Sequence, residues 1–266
     1  MQSNISEKVL ERFCRVFEIQ DTGLTKVRVG RQQDGGYIVL DEVSRKTDVL
    51  FSYGIADDVS FELDFVEKYP NCQRVLLFDH TIDALPATHE KFTFVKDGVA
   101  AHRTDDCGTL NDHNIIACPA DHTTLKMDIE WGEWDVFDYT SLGCYDQIIC
   151  EFHVVPVEFR PERETAYFTK FYKSVYDRVN DELFTKYTNV MEDVLETHVI
   201  AHIHANNSLR PNIFGEYSIP PLLEVTLVHR SECTKLKPFM GVLPIDGLDF
   251  PNKPYKAEIR NFYPFK

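Results

Sequence analysis

The sequence predicts an α/β protein with a mainly parallel sheet that helices cover on both faces, extended by an N-terminal helix and a β-hairpin. Three observations support this. Short apolar runs suited to buried strands recur along the 266 residues, helical or turn-rich stretches separate them, and polar side chains follow several runs directly. Apolar strands that alternate with helices are typical of a parallel sheet, and polar groups at the strand ends are typical of its ligand crevice.

The N-terminal part precedes this alternation. Residues 5–18 are predicted to form an amphipathic helix, because apolar residues recur there at helical spacing, namely Val9, Leu10, Phe13, Val16 and Phe17. Two β-rich runs, 26–30 and 37–40, are joined by a segment that ends in Asp34-Gly35-Gly36. This combination predicts a β-hairpin.

From residue 48 the chain repeats a pattern of strand, turn and helix. The predicted strands are 49–53, 74–78, 92–95, 124–129, 147–150, 199–204 and 222–228; the predicted helices are 60–68, with Ser60 as N-cap, 132–138 and a helix-rich piece after Pro161. We expect a single domain over residues 1–266, made of the N-terminal helix and hairpin (1–45), the core (46–230) and a tail (231–266) that wraps the surface.

The charge balance argues against some partners. The formal net charge is -15, from 43 acidic and 28 basic residues, which disfavours nucleic acid because phosphate binding needs a cationic surface. The apolar runs fall short of a membrane span, and the N-terminus lacks the apolar core of a secretory signal. Scattered cysteines without a Cys-x-x-Cys pair favour a reduced, cytoplasmic compartment, and the sequence indicates no oligomeric state.

The turn after the first core strand points to a cofactor. Gly54 directly follows a buried strand, which lets a ligand approach the backbone, although a single glycine more often marks a simple turn. Asp79 ends the next strand, where it could bind ribose hydroxyls or cap a helix. Asp97 and Gly98 follow the third strand and could frame an adenine ring or form a plain turn. Gly54 and Asp79 together favour a ribose-containing ligand.

Three pairs of acidic residues and histidines supply candidate chemistry. In each pair an apolar residue separates two polar ones, so on a strand both would point to the same side: Asp128 and Glu130, Glu151 and His153, His202 and His204. A single histidine in an apolar strand is more often part of the core, but three such pairs at strand ends favour a site. The groups could act as general base or as ligands of a divalent cation, and the sequence does not separate these roles.

The order of the segments resembles the FkbM-type methyltransferases, in particular the branch similar to human methyltransferase-like proteins with a Tyr/Phe-Gly-Ile motif. The resemblance spans about residues 26–230 and rests on Arg28-x-Gly30 with Asp34-Gly35-Gly36-Tyr37, Ser52-Tyr53-Gly54-Ile55 with Asp58-x-Ser60-Phe61, Phe78-Asp79, and Leu125-Lys126-Met127-Asp128-Ile129-Glu130 with Glu133-Trp134. Two positions depart from the family pattern. Ala56 stands where a second glycine is common, and Trp131 stands where a glycine usually follows Asp-Ile-Glu.

The resemblance implies a Rossmann-like sheet and an S-adenosylmethionine-dependent methyltransferase. By analogy the Tyr53-Gly54-Ile55 turn would face the methionine part of the cofactor, and Asp79 with His80 would bind at the ribose. Asp97-Gly98 would flank the adenine, and Asp128 would lie nearest the transferred methyl group.

The predicted reaction is methylation of a hydroxyl on a carbohydrate, a glycan or a related small-molecule acceptor. Asp128 and His153 are the expected ligands of the acceptor or of a cation, and Glu130 or His204 is the expected base. A Mg²⁺ or Mn²⁺ ion held by Asp128, His153 and His204 is the predicted metal site. Two alternatives stay open: a metal-dependent hydrolase or sugar- or nucleotide-binding enzyme that uses the same cluster, and a binding module without catalysis.

Overall fold

A computed structural model describes residues 5–117, 120–155, 179–260 and 262. The helices are α1 (Glu7–Val16), α2 (Asp41–Ser44), α3 (Ser60–Lys68), α4 (Leu110–Ala117), α5 (Glu133–Asp138) and α6 (Asp181–Thr197). The strands are β1 (Gln20–Asp21), β2 (Lys26–Gly30), β3 (Gly36–Leu40), β4 (Val49–Tyr53), β5 (Arg74–Phe78), β6 (Phe92–Val95), β7 (Gly98–Val99), β8 (Cys107–Gly108), β9 (Thr123–Met127), β10 (Gln147–His153), β11 (His198–Ala205), β12 (Asn212–Phe214), β13 (Tyr217–Ile219), β14 (Leu222–His229) and β15 (Lys237–Pro238).

A seven-stranded sheet organises the fold, with the strand order β6-β5-β4-β9-β10-β14-β11. The five strands from β6 to β10 are parallel, and β14 runs antiparallel to both β10 and β11. This confirms the predicted α/β class with a Rossmann-like, mainly parallel sheet. Because the parallel strands share a direction, the loops after β4, β9 and β10 meet at one edge of the sheet.

Each face of the sheet carries its own apolar core. On one face α1, α5 and α6 pack through aromatic rings, as where Phe13 meets Phe184 edge-on at 4.8 Å and Trp134 stacks on Tyr187 at 4.0 Å. On the other face the hairpin β2–β3 and helix α3 bury a second cluster, in which Tyr37 meets Phe61 at 5.6 Å. The predicted covering of both faces is therefore confirmed, and the hairpin covers the face on which the candidate site lies.

Most predicted elements lie where the apolar pattern places them. The N-terminal helix, the hairpin and all seven predicted strands are present, with ends that differ by a few residues. Residues 156–178, which include most of the predicted helix-rich piece, lie outside the described residues; helix α6 follows them and was not predicted. Ser60 is not the N-cap of α3, because Val59 holds that position and the Asp58 carboxylate accepts the Ser60 N–H at 2.9 Å.

The largest departure concerns the end of β9. The strand stops at Met127, so Asp128 and Glu130 lie on the following loop, and Glu130 has a left-handed backbone with φ of 55°. The period-two argument that placed both carboxylates on one strand face is therefore wrong. Both residues still line the cleft described below.

The tail does more than wrap the surface. Asp249 is buried and its carboxylate lies 2.8 Å from His202 Nε2, while Asn252 donates to Glu224 at 2.5 Å. These contacts join the tail to β11 and β14 through buried polar groups. Within the described part of the chain, the helices lack the length and apolar character that a bilayer span requires.

Two parallel strand ends approach unusually closely at Gly54. Its φ is 76°, and a Cβ at this position would lie 1.6 Å from the carbonyl oxygen of Asp128. The glycine therefore meets two requirements at once: a left-handed backbone, and the absence of a side chain where the loops after β4 and β9 touch.

Gly54→Ala is expected to destabilise the protein much more than Gly215→Ala. Both glycines have positive φ, 76° and 63°, so both substitutions carry a backbone penalty of about 1–2 kcal/mol. Only at position 54 does the new Cβ collide with backbone, because nothing lies within 4 Å of the corresponding point at Gly215. Urea denaturation of the two variants measures the difference, and equal losses of unfolding free energy would contradict the described approach of the two loops.

Candidate active site

A cleft opens at the carboxyl ends of β4, β9 and β10, beside the hairpin. Its volume is about 530 Å³. It is lined by the glycine turn 54–58, by the hairpin residues Arg31, Asp34, Gly35 and Tyr37, by Phe61, Glu62, Lys126, Asp128, Glu130, Trp131, Glu151 and His153, and by Asn206, Ser208, Leu209, Leu222 and Lys253. This is the crevice in which open α/β sheets bind ligands.

Two carboxylates lie side by side in this cleft, one directly after β9 and one on β10. The register pairs Met127 with Cys150, which places Asp128 next to Glu151. The Tyr37 hydroxyl donates to Asp128 Oδ2 at 3.2 Å, and the Asn206 amide donates to Glu151 Oε2 at 3.0 Å. The hairpin and the residue directly after β11 thus each supply one donor that orients one carboxylate.

Burial separates these carboxylates from ordinary surface acids. Desolvation raises the pKa of Asp128 to about 6, although the nearby charges of Lys126 and His153 act in the opposite direction. Desolvation, followed by the charge of Asp128, raises the pKa of Glu151 well above its ordinary value. The two neighbouring carboxyl groups therefore both have raised pKa values, which is an arrangement suited to acid–base chemistry.

His153 lies between two more carboxylates. Its Nδ1 is 3.1 Å from Glu133 and its Nε2 is 3.0 Å from Glu130. Burial favours the neutral ring, but the charges of Glu133 and Glu130 outweigh burial and raise the pKa of His153 well above its ordinary value. Trp134 Nε1 donates to the His153 carbonyl at 2.8 Å, so α5 holds the end of β10 in place.

Asp128, Glu133 and His153 could together hold a cation. Each offers one ligand atom, and these atoms lie within 4.8 Å of one another. Asp128 Oδ1 and Glu133 Oε2 are buried without a hydrogen-bond partner among the described residues. Unpaired carboxylate oxygens in a dry site are costly, so a donor set of this kind fits a divalent cation.

His204 does not join this group, in contrast to its predicted role. Its Nδ1 lies 2.9 Å from Glu224 and its Nε2 lies 3.4 Å from Glu258, and it does not line the cleft. Burial opposes its charged form, but these carboxylates dominate and raise the pKa of His204 to about 10. Because both ring nitrogens of His204 face carboxylates outside the cleft, the structure does not place it as a base or a metal ligand of this site.

Glu130 is also a poor base. Its side chain is 77% exposed, and the hydrogen bond from His153 lowers its pKa. The structure instead brings Glu133 to the site, a buried residue that the period-two pattern could not select because it lies on α5.

The Asp79 carboxylate points back to the glycine turn. One oxygen accepts the Ile55 and Ala56 N–H groups at 2.9 Å each, and the other accepts the Thr81 N–H at 2.7 Å. Burial tends to raise its pKa, but these donors outweigh burial and lower it. In this structure Asp79 holds the turn in place, which is closer to the alternative role as a cap than to the predicted ribose ligand.

The remaining predicted cofactor residues gather on the opposite face of the sheet. The Tyr53 hydroxyl lies 3.1 Å from His113 Nδ1, and His113 Nε2 lies 3.1 Å from Asp97. Gly98 packs against His80, whose Nδ1 would lie 2.6 Å from an added Cβ. These residues lie close together, but they do not line the 530 Å³ cleft.

The basic groups of the cleft already face acids. Arg31 lies 3.1 Å from Asp58, and Lys253 lies 2.8 Å from Asp34. Lys126 donates to the Gly54 carbonyl at 3.1 Å and lies 3.9 Å from Glu62. Sequence reasoning missed Lys126, Glu62 and Tyr37 as site residues, because only folding brings α3 and the hairpin over the end of β9.

Comparisons with known proteins leave the family open. No family model matches the chain, and no curated protein matches it. The predicted FkbM membership is therefore not confirmed. A solved structure from Clostridium thermocellum, provisionally described as an rRNA-methylase, aligns with 13% identity and a TM-score of 0.35 over 71% of this chain and 92% of its own. A likeness this slight says nothing about the acceptor of this chain.

Asp79→Asn is expected to make the protein less stable at neutral pH and less sensitive to acid. The lowered pKa means that the ionised Asp79 stabilises the fold above its ordinary pKa of 3.8, and that this contribution is lost as the pH falls through the lower folded value. The loss at neutral pH should be about 1–2 kcal/mol, because hydrogen bonds to a charged acceptor are replaced by weaker ones. Urea denaturation between pH 7 and pH 2.5 tests this. An unchanged pH dependence would contradict the capping role.

Proposed function

We propose that the protein transfers the methyl group of S-adenosylmethionine to a hydroxyl of a carbohydrate or related small acceptor. The observation that carries this proposal is the meeting, in one cleft, of the glycine turn after β4 with the half-buried, ionisable Asp128 after β9. The strand order, with β14 reversed between β10 and β11, is consistent with a Rossmann-like methyltransferase. The carboxylates of the cleft suit a cofactor that carries a sulfonium cation.

The side chains of the cleft provide a route for the acceptor proton. The cofactor supplies an electrophilic methyl group, which the hydroxyl oxygen attacks as the bond to sulfur breaks. Sugar hydroxyls hold their proton near neutral pH, so a base must take it as the new bond forms. Asp128, with a pKa of about 6, is mostly ionised at pH 7 and is the base that the geometry favours. Glu151, whose pKa is also raised by desolvation, lies beside it and can form a hydrogen bond with the same acceptor.

Asp128→Asn is the direct test of this proposal. The amide cannot accept the proton, so methyl transfer should fall at least a hundredfold, while calorimetry should detect S-adenosylmethionine binding within a few-fold of the native protein. Asp246→Asn, at a 97% exposed carboxylate, is the matched control and should leave both unchanged. Near-native transfer by Asp128→Asn would exclude Asp128 as the base, and absence of cofactor binding by the native protein would exclude the function.

The same variant has a stability signature. A raised folded-state pKa means that Asp128 stabilises most below its ordinary pKa of 3.8 and progressively less as the pH rises through about 6. Asp128→Asn should therefore have a larger free energy of unfolding than the native protein at pH 7, by roughly 1–3 kcal/mol, and this difference should shrink towards pH 4. Urea denaturation of both proteins at the two pH values measures it.

Metal-dependent chemistry is the second candidate. The cluster of Asp128, Glu133 and His153 favours it, with Glu133 in the place predicted for His204. Two carboxylates and one imidazole suit Mn²⁺ better than Mg²⁺, which prefers oxygen ligands alone. A cation bound to His153 would replace the proton that the ring holds between Glu130 and Glu133. Such a cation could support methyl transfer or hydrolysis.

Glu133→Gln should weaken Mn²⁺ binding at least tenfold, because it removes a negative charge and one of the two unpaired oxygens. His204→Gln should leave the affinity unchanged, since His204 is held by Glu224 and Glu258 away from the cluster. Titration calorimetry or the electron paramagnetic resonance signal of free Mn²⁺ measures both. Equal affinities of Glu133→Gln and the native protein, or loss of binding in His204→Gln, would contradict this ligand set.

A further inference from the structure

The loop after β9 contains two successive residues in an unfavourable backbone conformation. Glu130 has φ of 55° and Trp131 has φ of 84°. This region favours glycine, and a bulky side chain such as tryptophan rarely occupies it. The glycine of this segment, Gly132, has an ordinary φ of -77°. The chain therefore places a tryptophan where the backbone favours glycine, and strain of this kind persists mainly at functional sites.

The strained backbone brings the Trp131 indole to the wall of the cleft. Its ring centroid lies 5.4 Å from that of His153, and the residue lines the cleft together with Asp128 and Glu130. Its Nε1 atom is buried and has no hydrogen-bond partner among the described residues. A buried indole N–H normally has an acceptor, so this donor is placed for a group that the chain itself does not provide.

We propose that Trp131 is the platform on which the acceptor lies and therefore a residue that determines acceptor specificity. The apolar face of a sugar-like ring would pack on the indole, and a hydroxyl or ring oxygen would accept from Nε1. Glu130, Asn206 and Ser208 line the same cleft and can bind further hydroxyls. This inference rests on the proposed function, since it names the class of acceptor that the cleft takes.

The charges of the cleft indicate that this acceptor is neutral. Arg31, Lys126, Lys253 and His153 each already face an acid, whereas neither Asp128 nor Glu151 has a basic partner at ion-pair distance among the residues that the structure describes. An acceptor that carries a carboxylate or phosphate would add negative charge beside them without a cation to receive it. A neutral glycoside meets hydrogen-bonding groups and no such repulsion.

The test uses the full-length protein and neutral methyl glycosides as probes. Trp131 and Trp134 are the two tryptophans of the chain, and Trp134 is 1% exposed, so a change in fluorescence on titration reports mainly on Trp131. Native protein should bind at least one neutral methyl glycoside at least tenfold more tightly than the matching uronic acid. Trp131→Gly should lose at least tenfold in glycoside affinity by calorimetry, and Trp131→Phe should retain part of it.

A stability measurement separates strain from a purely structural role. Trp131→Gly should unfold at a higher urea midpoint than Trp131→Ala, since both remove the indole and only glycine relieves the positive φ. S-adenosylmethionine affinity should be the same in Trp131→Gly and the native protein. Native-like glycoside affinity of Trp131→Gly, or preference for the uronic acid, would overturn the inference. If the native protein does not bind S-adenosylmethionine, the proposed function is overturned instead. The glycoside and stability results would still decide the role of Trp131.

Discussion

The close approach of the loops after β4 and β9 is the constraint on which the rest of the site depends. Gly54 lies against the Asp128 carbonyl with no room for a side chain, and Asp79 holds the following turn through two backbone N–H groups. These contacts set the position of Asp128 at the sheet edge. Because β10 is in register with β9, they also set the distance between Asp128 and Glu151.

Burial then gives these carboxylates their chemistry. Acids at the end of a strand are ordinarily ionised and solvated, but here the hairpin covers the face, and desolvation raises the pKa values of Asp128 and Glu151. This desolvation lowers the stability of the fold, because no cation in the part of the chain that the structure describes fully offsets its cost for either carboxylate. Strain at Trp131 and an unpaired indole N–H lie in the same loop. Strained backbone, desolvated carboxylates and an unpaired donor around one cleft are typical of a site that is shaped for a ligand rather than for stability.

The histidines show how far local sequence patterns can be trusted. His153 and His204 occur in similar polar–apolar–polar contexts, and both are buried beside two carboxylates. They differ only in location: His153 faces the cleft at the end of β10, whereas His204 lies one strand beyond β14 and is closed in by Glu224 and the tail. Periodicity predicts which side of a strand a residue faces, but it does not predict which neighbours cover that side.

The sequence by itself determined the strands of the sheet to within a few residues and the hairpin, because apolar runs of strand length have few other ways to be buried. It also indicated Asp128, Glu130 and His153 as neighbours at the sheet edge. Tertiary structure alone decided that β9 ends before Asp128, that Asp79 caps the glycine turn, and that Glu133 replaces His204 beside His153. Each of these depends on contacts between segments far apart in the chain. Hydrogen-bond partners and desolvation are properties of the packed chain, which no local spacing encodes.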